Sequence, residues 1–105
     1  MRNYPTIAGR KIRMGLVGCG RIAANHFGAM EQHAAEVEIV DVCDVDRVAL
    51  DKAVQRTGAE GHLSLTEMLR TTTADIVVLA TPSGLHPEQA IEIAQSGRHV
   101  MTEKP

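Results

Sequence analysis

With 105 residues, a formal net charge of −2, 44% apolar residues, one Phe, one Tyr and no Trp, the chain has the size of one domain. A chain this long buries roughly 60–70% of its unfolded surface, enough for one modest core. Few aromatics and no basic run longer than Arg10-Lys11 exclude nucleic acid and anionic membranes as expected partners.

Residues 1–11, "MRNYPTIAGRK", are polar and aperiodic and read as a flexible extension without a signal-peptide core. Residues 12–105 read as one domain. "IRMGLVG" (12–18) predicts a short apolar strand, and "RIAANHFGAMEQH" (21–33) a helix with Ile22, Ala23, Phe27 and Met30 on one face. "VEIVDVC" (37–43) predicts a second strand closed by Asp44. "DRVALDKAVQRTG" (46–58) predicts a helix with Val48, Ala49, Ala53 and Val54 apolar and Gly58 as its stop. "GHLS" (61–64) allows a very short third strand, and Ser64 with Glu67 forms a capping-box pattern for a helix to about Arg70. "ADIVVLA" (74–80) predicts a strand buried on both faces. Pro87 fits the first position of a helix to Ser96 that Gly97 ends, and "RHVMTE" (98–103) predicts a fifth strand. Strands alternating with amphipathic helices imply an α/β, Rossmann-like parallel sheet of order 3-2-1-4-5. Helices cover both faces, and the fold stops one strand short of the six-stranded dinucleotide fold.

Between the first strand and first helix, Gly18, Gly20 and Ala23 form G-x-G-x-x-A. The first glycine permits a tight turn and the second lets a pyrophosphate approach the backbone. The small third residue brings helix and sheet together, and the anion would rest on the helix N-terminus. The alternative is a tight turn with no ligand. Asp44, 24 residues after Gly20, stands near the offset of the acid that accepts bonds from an adenosine ribose. Its charge would repel a 2′-phosphate, which favours NAD over NADP. A helix N-cap is the other role open to Asp44, although Asp46 is better placed for it. Arg47 reads as an exposed first-turn arginine. The loop "ATPSGLHPE" follows the fourth strand, where such sheets bind ligands. Thr81, Ser83 and His86 could face a dinucleotide there, or simply form a loop with a capping histidine.

Cys19 and Cys43 lack CxxC or metal-ligand spacing and read as free thiols of a reducing compartment, with a disulfide as the lesser alternative. The expected location is the cytoplasm, and no metal is expected.

"GLVGCGRIAANH", "DVCDVD", "LATPSGLHPEQA" and "GRHVMTEKP", in this order, resemble the N-terminal domain of the glucose-fructose oxidoreductase/inositol dehydrogenase (Gfo/Idh/MocA) family, from about Ile12 to Pro105. Within it they most resemble the branch whose bacterial enzymes oxidise a UDP-sugar acid, UDP-N-acetyl-2-amino-2-deoxyglucuronate, at its 3-position for lipopolysaccharide synthesis. The resemblance implies that Gly18, Gly20, Arg21 and Ile22 line the pyrophosphate turn and that Asp44 holds the ribose. It places Thr81, Ser83 and His86 along the nicotinamide half, and Glu103 and Lys104 in an E-K-P motif whose lysine is catalytic. His26 matches a family position but reads as structural. Family members continue into a substrate domain that these residues do not include and are often homo-oligomers. The expectation is therefore a cofactor-binding part that is inactive alone; a truncated or relic nucleotide-binding module is the alternative.

Overall fold

A computed structural model of the protein describes residues 10–81 and 86–102, with side chains described for all of these except 21–26 and 86. The described elements are β1 (Ile12–Val17), α1 (Arg21–Gln32), β2 (Val37–Cys43), α2 (Arg47–Thr57), β3 (Glu60–His62), α3 (Leu65–Thr71), β4 (Ile76–Leu79), α4 (His86–Gln95) and β5 (His99–Thr102). The strands form one sheet of order β3-β2-β1-β4-β5, and every neighbouring pair is parallel, as the alternating pattern requires. No helix among the described residues is long and apolar enough to cross a membrane.

The central strands are buried on both sides: all four residues of β4 are inaccessible to solvent or nearly so. Two apolar clusters flank the sheet. Met14, Leu16, Val42 and Ile76 pack with Phe27 of α1 and Leu50 and Ala53 of α2. Val17, Cys43, Val77 and Leu79 pack with Met68 of α3 and Ile93 of α4. Right-handed crossovers produce this division, because the chain moves outward through β2 to β3 and then returns past β1 to β4.

Local signals set the helix ends. The Asp46 carboxylate accepts from the Val48 N–H at 3.0 Å at the start of α2. Gly58, in the left-handed region at φ 72°, ends that helix by donating its N–H to the Val54 carbonyl. Ser64 Oγ accepts from the Glu67 N–H at 3.4 Å, which is the Ser64 half of the expected capping box. Two details differ from expectation. Val48 is 63% exposed, whereas Leu50 is buried with Ala53, because the stripe facing the sheet runs through positions 50, 53 and 54. The third strand is Glu60–His62, paired to Asp41–Cys43, and leaves Leu63 exposed on the way to the Ser64 cap.

A register shift lies between Met14 and Gly15, which pair with Ile39 and Asp41, so β2 holds one extra residue there. The bulge matters because strict alternation from Ile39 would send Asp41 into the cluster under α1 and α2. Instead Asp41 reaches the opposite face, where its carboxylate meets His62 Nε2 at 2.7 Å and accepts from the Thr72 hydroxyl. Thr72 Oγ1 also accepts from the Ala74 N–H at 3.0 Å, so this buried carboxylate and hydroxyl are both partnered.

At the amino end of the sheet, Asp75 binds the chain entering β1. Arg10 donates two guanidinium bonds of 2.9 Å to its carboxylate, and the Arg13 N–H adds a third of 2.9 Å. Residues 1–9 of the expected extension lie outside the described residues. The Arg10 guanidinium, and then the Arg13 N–H, hold the Asp75 carboxyl below the ordinary carboxylate range. A depressed folded-state pKa contributes stability that is present above the unfolded value of about 4 and disappears as pH falls through the folded value. Urea midpoints measured from pH 7 down to about 3 should therefore fall less steeply for Asp75→Asn than for the native chain. Parallel curves would show that the Arg10–Asp75 pair contributes nothing to acid sensitivity.

Candidate functional site

The carboxyl ends of β1, β2 and β4 meet at the glycine turn. Gly18 has φ 93° and donates its N–H to the Cys43 carbonyl at 2.7 Å, while the Ala80 N–H donates to the Val17 carbonyl at 2.8 Å. A Cβ on Gly18 would lie 2.8 Å from the carbonyl carbon and oxygen of Ala80, both backbone atoms that cannot swing aside. The positive φ and the crowding each require glycine here. Gly20 differs. It precedes α1 as the N-cap residue with extended backbone, and a Cβ built on it would meet nothing within 4 Å. No packing demand explains a glycine at this point. The open space leaves the backbone at the start of α1 accessible to a ligand.

Asp44 ties this turn to the next element. Its Oδ2 accepts from the Cys19 N–H at 2.8 Å, and its Oδ1 accepts from the Asp46 N–H at 2.8 Å. An ionised carboxylate offers about four lone-pair directions, so after these two bonds acceptor capacity remains on both oxygens. The N-cap role falls to Asp46, as its position suggested. Arg47 pairs loosely with Asp51 at 3.7 Å on the exposed side of α2, in keeping with an ordinary surface arginine.

Beside Asp44 opens a cavity of about 370 Å³, lined by Gly18, Gly20, Val45, Leu65, Thr81 and Gln89 among others. That volume suits part of a small-molecule ligand. Its walls are mostly apolar side chains and backbone, with Asp44 as its carboxylate and Thr81 and Gln89 as its uncharged polar groups. The Thr81 hydroxyl donates to Gln89 Oε1 at 2.6 Å.

The structure thus brings Gly18, Gly20, Asp44 and Thr81 around one cavity. Arg21 and Ile22 form the first turn of α1, and His26 also lies on that helix; His86 opens α4; these four side chains are outside the described residues. Ser83, Glu103 and Lys104 lie outside the described residues altogether. Reading the sequence missed Val45, Leu65 and Gln89. Val45 and Gln89 lie within the quoted motifs "DVCDVD" and "LATPSGLHPEQA" but carried no signal of a site role, and Leu65 arrives through the tertiary placement of α3.

Both cysteines are free. Cys19 packs against the cluster under α1 and α2, while Cys43 belongs to the cluster under α3 and α4. Burial first, and the nearby Asp44 charge second, push the Cys19 thiol up to about 12 and the Cys43 thiol up to about 11. At neutral pH both are protonated, and neither is a nucleophile.

The donor set fits a dinucleotide: an open glycine-backed helix start for the phosphates, and a carboxylate at the strand end for ribose hydroxyls. Comparison with known proteins agrees. The model of an oxidoreductase family with an NAD-binding Rossmann fold matches residues 12–105. The WlbA dehydrogenase from Chromobacterium violaceum, crystallised with NADH and UDP-GlcNAcA, superposes with a TM-score of 0.94 at 65% identity, covering 100% of this chain and 30% of that one. The WlbA dehydrogenase from Bordetella pertussis, with the same two ligands, gives 0.92 at 58% identity over 95% of this chain and 30% of its own. Among curated proteins, glycosyl hydrolase family 109 protein 1 of Shewanella sp. (strain ANA-3) is 30% identical over 106 residues, 90% of this chain and 22% of that protein. The chain therefore spans less than a third of the length of these relatives.

The two glycines should separate in experiment. Gly18→Ala is expected to cost about 2–4 kcal/mol of stability, from a disfavoured φ and a backbone clash. Gly20→Ala should change stability by no more than about 1 kcal/mol while weakening NAD binding markedly, because its methyl projects only into open space. Denaturant melts and calorimetry on both variants check this, and equal losses of stability would remove the distinction.

Proposed function

The chain belongs to the Gfo/Idh/MocA family of NAD-binding Rossmann-fold oxidoreductases, and on that basis we propose that residues 12–105 are the cofactor-binding domain of an NAD-dependent enzyme that oxidises a secondary alcohol of a sugar or UDP-sugar acid. The observation that carries the reading is Asp44, a carboxylate at the end of β2 that is bonded to the glycine turn and borders the cavity. The substrate class follows the two WlbA dehydrogenases, whose similarity extends over essentially the whole chain, and UDP-GlcNAcA oxidised at its 3-position is the specific candidate. Because the chain spans about 30% of those enzymes, recognition of the sugar and turnover are proposed for the whole enzyme rather than for these residues by themselves.

Bound NAD would supply the hydride acceptor. The residues of this chain hold and orient it. Backbone N–H groups at the start of α1 would bind the pyrophosphate, with Gly20 leaving the approach clear and Arg21 and Ile22 in the same turn. Asp44 would accept bonds from the ribose hydroxyls with its remaining lone pairs. Thr81 borders the cavity, and Ser83 and His86 follow it on the route into α4. Loss of hydride from the alcohol carbon releases a proton from its hydroxyl, and a group within hydrogen-bond reach must take it. Lys104, two residues beyond the end of β5 and next to Glu103, is the residue we assign to that step. A lysine acts as a base near neutral pH when burial and neighbouring positive charge bring its pKa to about 7–8. A cytoplasmic location accords with the two free thiols and with use of a soluble cofactor.

Cofactor preference tests the role of Asp44. The native chain should bind NAD at least about tenfold more tightly than NADP, since the carboxylate would meet a 2′-phosphate of like charge. Asp44→Ser should weaken NAD and narrow or invert that ratio. Tighter NADP binding by the native chain in calorimetry would sink the assignment.

A further inference from the structure

Four residues that line the cavity belong to neither the glycine turn nor Asp44. Val45, which is 87% exposed, and Leu65 supply apolar surface there, and Thr81 with Gln89 supplies the polar groups. Gln89 reaches the cavity from α4 and is half-buried. Its Oε1 accepts the Thr81 hydroxyl at 2.6 Å, and in this arrangement Nε2 is the end turned away from that hydroxyl. One lone pair of Oε1 and both N–H bonds of Nε2 then have no hydrogen-bond partner among the described residues. An amide presenting an acceptor beside a donor complements one common planar ligand edge. Adenine offers its 6-amino group as donor and N7 as acceptor at matching separation, the pairing by which Asn and Gln side chains select adenine in other settings. A cavity with apolar sides and one such amide suits a purine ring that lies against Val45 and Leu65 with its edge toward α4.

We propose that Gln89, oriented by Thr81, is a specificity-determining residue that recognises the adenine base of the dinucleotide, accepting from its 6-amino group through Oε1 and donating to N7 through Nε2. Asp44 would then hold the ribose attached to that base, and the pyrophosphate would lead away to the start of α1. Glycine turn, carboxylate and amide would thus meet phosphate, sugar and base in succession. The proposal rests on the dinucleotide reading above and adds to it a choice of base, which neither the glycine turn nor Asp44 can make.

The test compares NAD with nicotinamide hypoxanthine dinucleotide, in which a carbonyl oxygen replaces the 6-amino group and nothing else in the cofactor's phosphates or riboses changes. By calorimetry the native chain should bind NAD about tenfold more tightly than this analogue. Gln89→Met should weaken NAD to the level of the analogue and abolish the difference. Thr81→Val should shrink the ratio by freeing the amide to turn, and Thr81→Ser, which keeps the hydroxyl, should restore it. Asp44→Asn should weaken both ligands together and leave their ratio unchanged. Equal affinity of the native chain for the two dinucleotides would overturn the role of Gln89 while leaving the dinucleotide site standing, and this arm needs no variant to fold. An unchanged ratio in Gln89→Met would overturn it as well. Failure of the native chain to bind NAD at all would overturn the dinucleotide reading and this inference together.

Discussion

The Asp44 carboxylate accepts one backbone N–H from the glycine turn and one from the start of α2, so the turn after β1, the end of β2 and the start of α2 share a single fixed point. Hydrogen bonds to a charged acceptor contribute about 1.5–3 kcal/mol each, more than neutral ones. Without them the turn at Cys19 would have a free N–H at the mouth of the cavity, and α2 could shift relative to β1. The site is therefore organised before any ligand arrives, and binding need not fix the turn at its own expense. On the proposed ribose role, Asp44 would have two functions at once. Its removal would disturb the turn as well as the proposed ribose contact, so absolute affinities of Asp44 variants would mix the two effects. A ratio between two ligands that differ at one group separates them.

Asp44 stands where it does because of events further down β2. The extra residue at the bulge changes the phase of the strand, so Asp41 faces α3 while Val42 returns to the cluster under α1 and α2. Asp41, His62 and Thr72 then hold the short β3 and the loop after α3 against the sheet. Leaving a buried carboxylate unpaired costs several kcal/mol, so this network enforces one register rather than adding much net stability. Without the bulge, Asp41 would point into aliphatic side chains and the phase of the strand at Cys43 would reverse. The register of one buried acid thus governs the placement of another at the functional end of the strand.

Much of the fold was legible in the sequence because its signals are local. Period-two and period-3.6 patterns, the Asp46 and Ser64 caps and the Gly58 stop each act within one turn of chain, and the elements fall within a few residues of expectation. The face of α2 was less legible. Val48 and Leu50 are both apolar and two positions apart, and only the sheet beneath decides that Leu50 is covered and Val48 is not. Asp41 was equally silent, since an acid within a strand carries no hint of a bulge, and its partners come from β3 and from the segment after α3.

At the functional site the same division has a chemical cause. Backbone N–H groups, the proposed phosphate ligands, leave no mark on the sequence except the glycines that permit an approach. Gly18 is required by the fold and Gly20 is not, yet the two look alike as letters, and only the space around each Cβ separates them. Asp44 is legible because ribose hydroxyls call for a charged acceptor at a strand end, and the spacing of a βαβ unit places that acid at a nearly fixed distance from the turn. The cavity lining made by Val45, Leu65, Thr81 and Gln89 has no such constraint. Any element packed over the carboxyl edge can provide it, and here it comes from the β2–α2 junction, α3 and α4 together. Gln89 meets the Thr81 hydroxyl only because β4 and α4 lie side by side, a juxtaposition that no local pattern in the sequence announces.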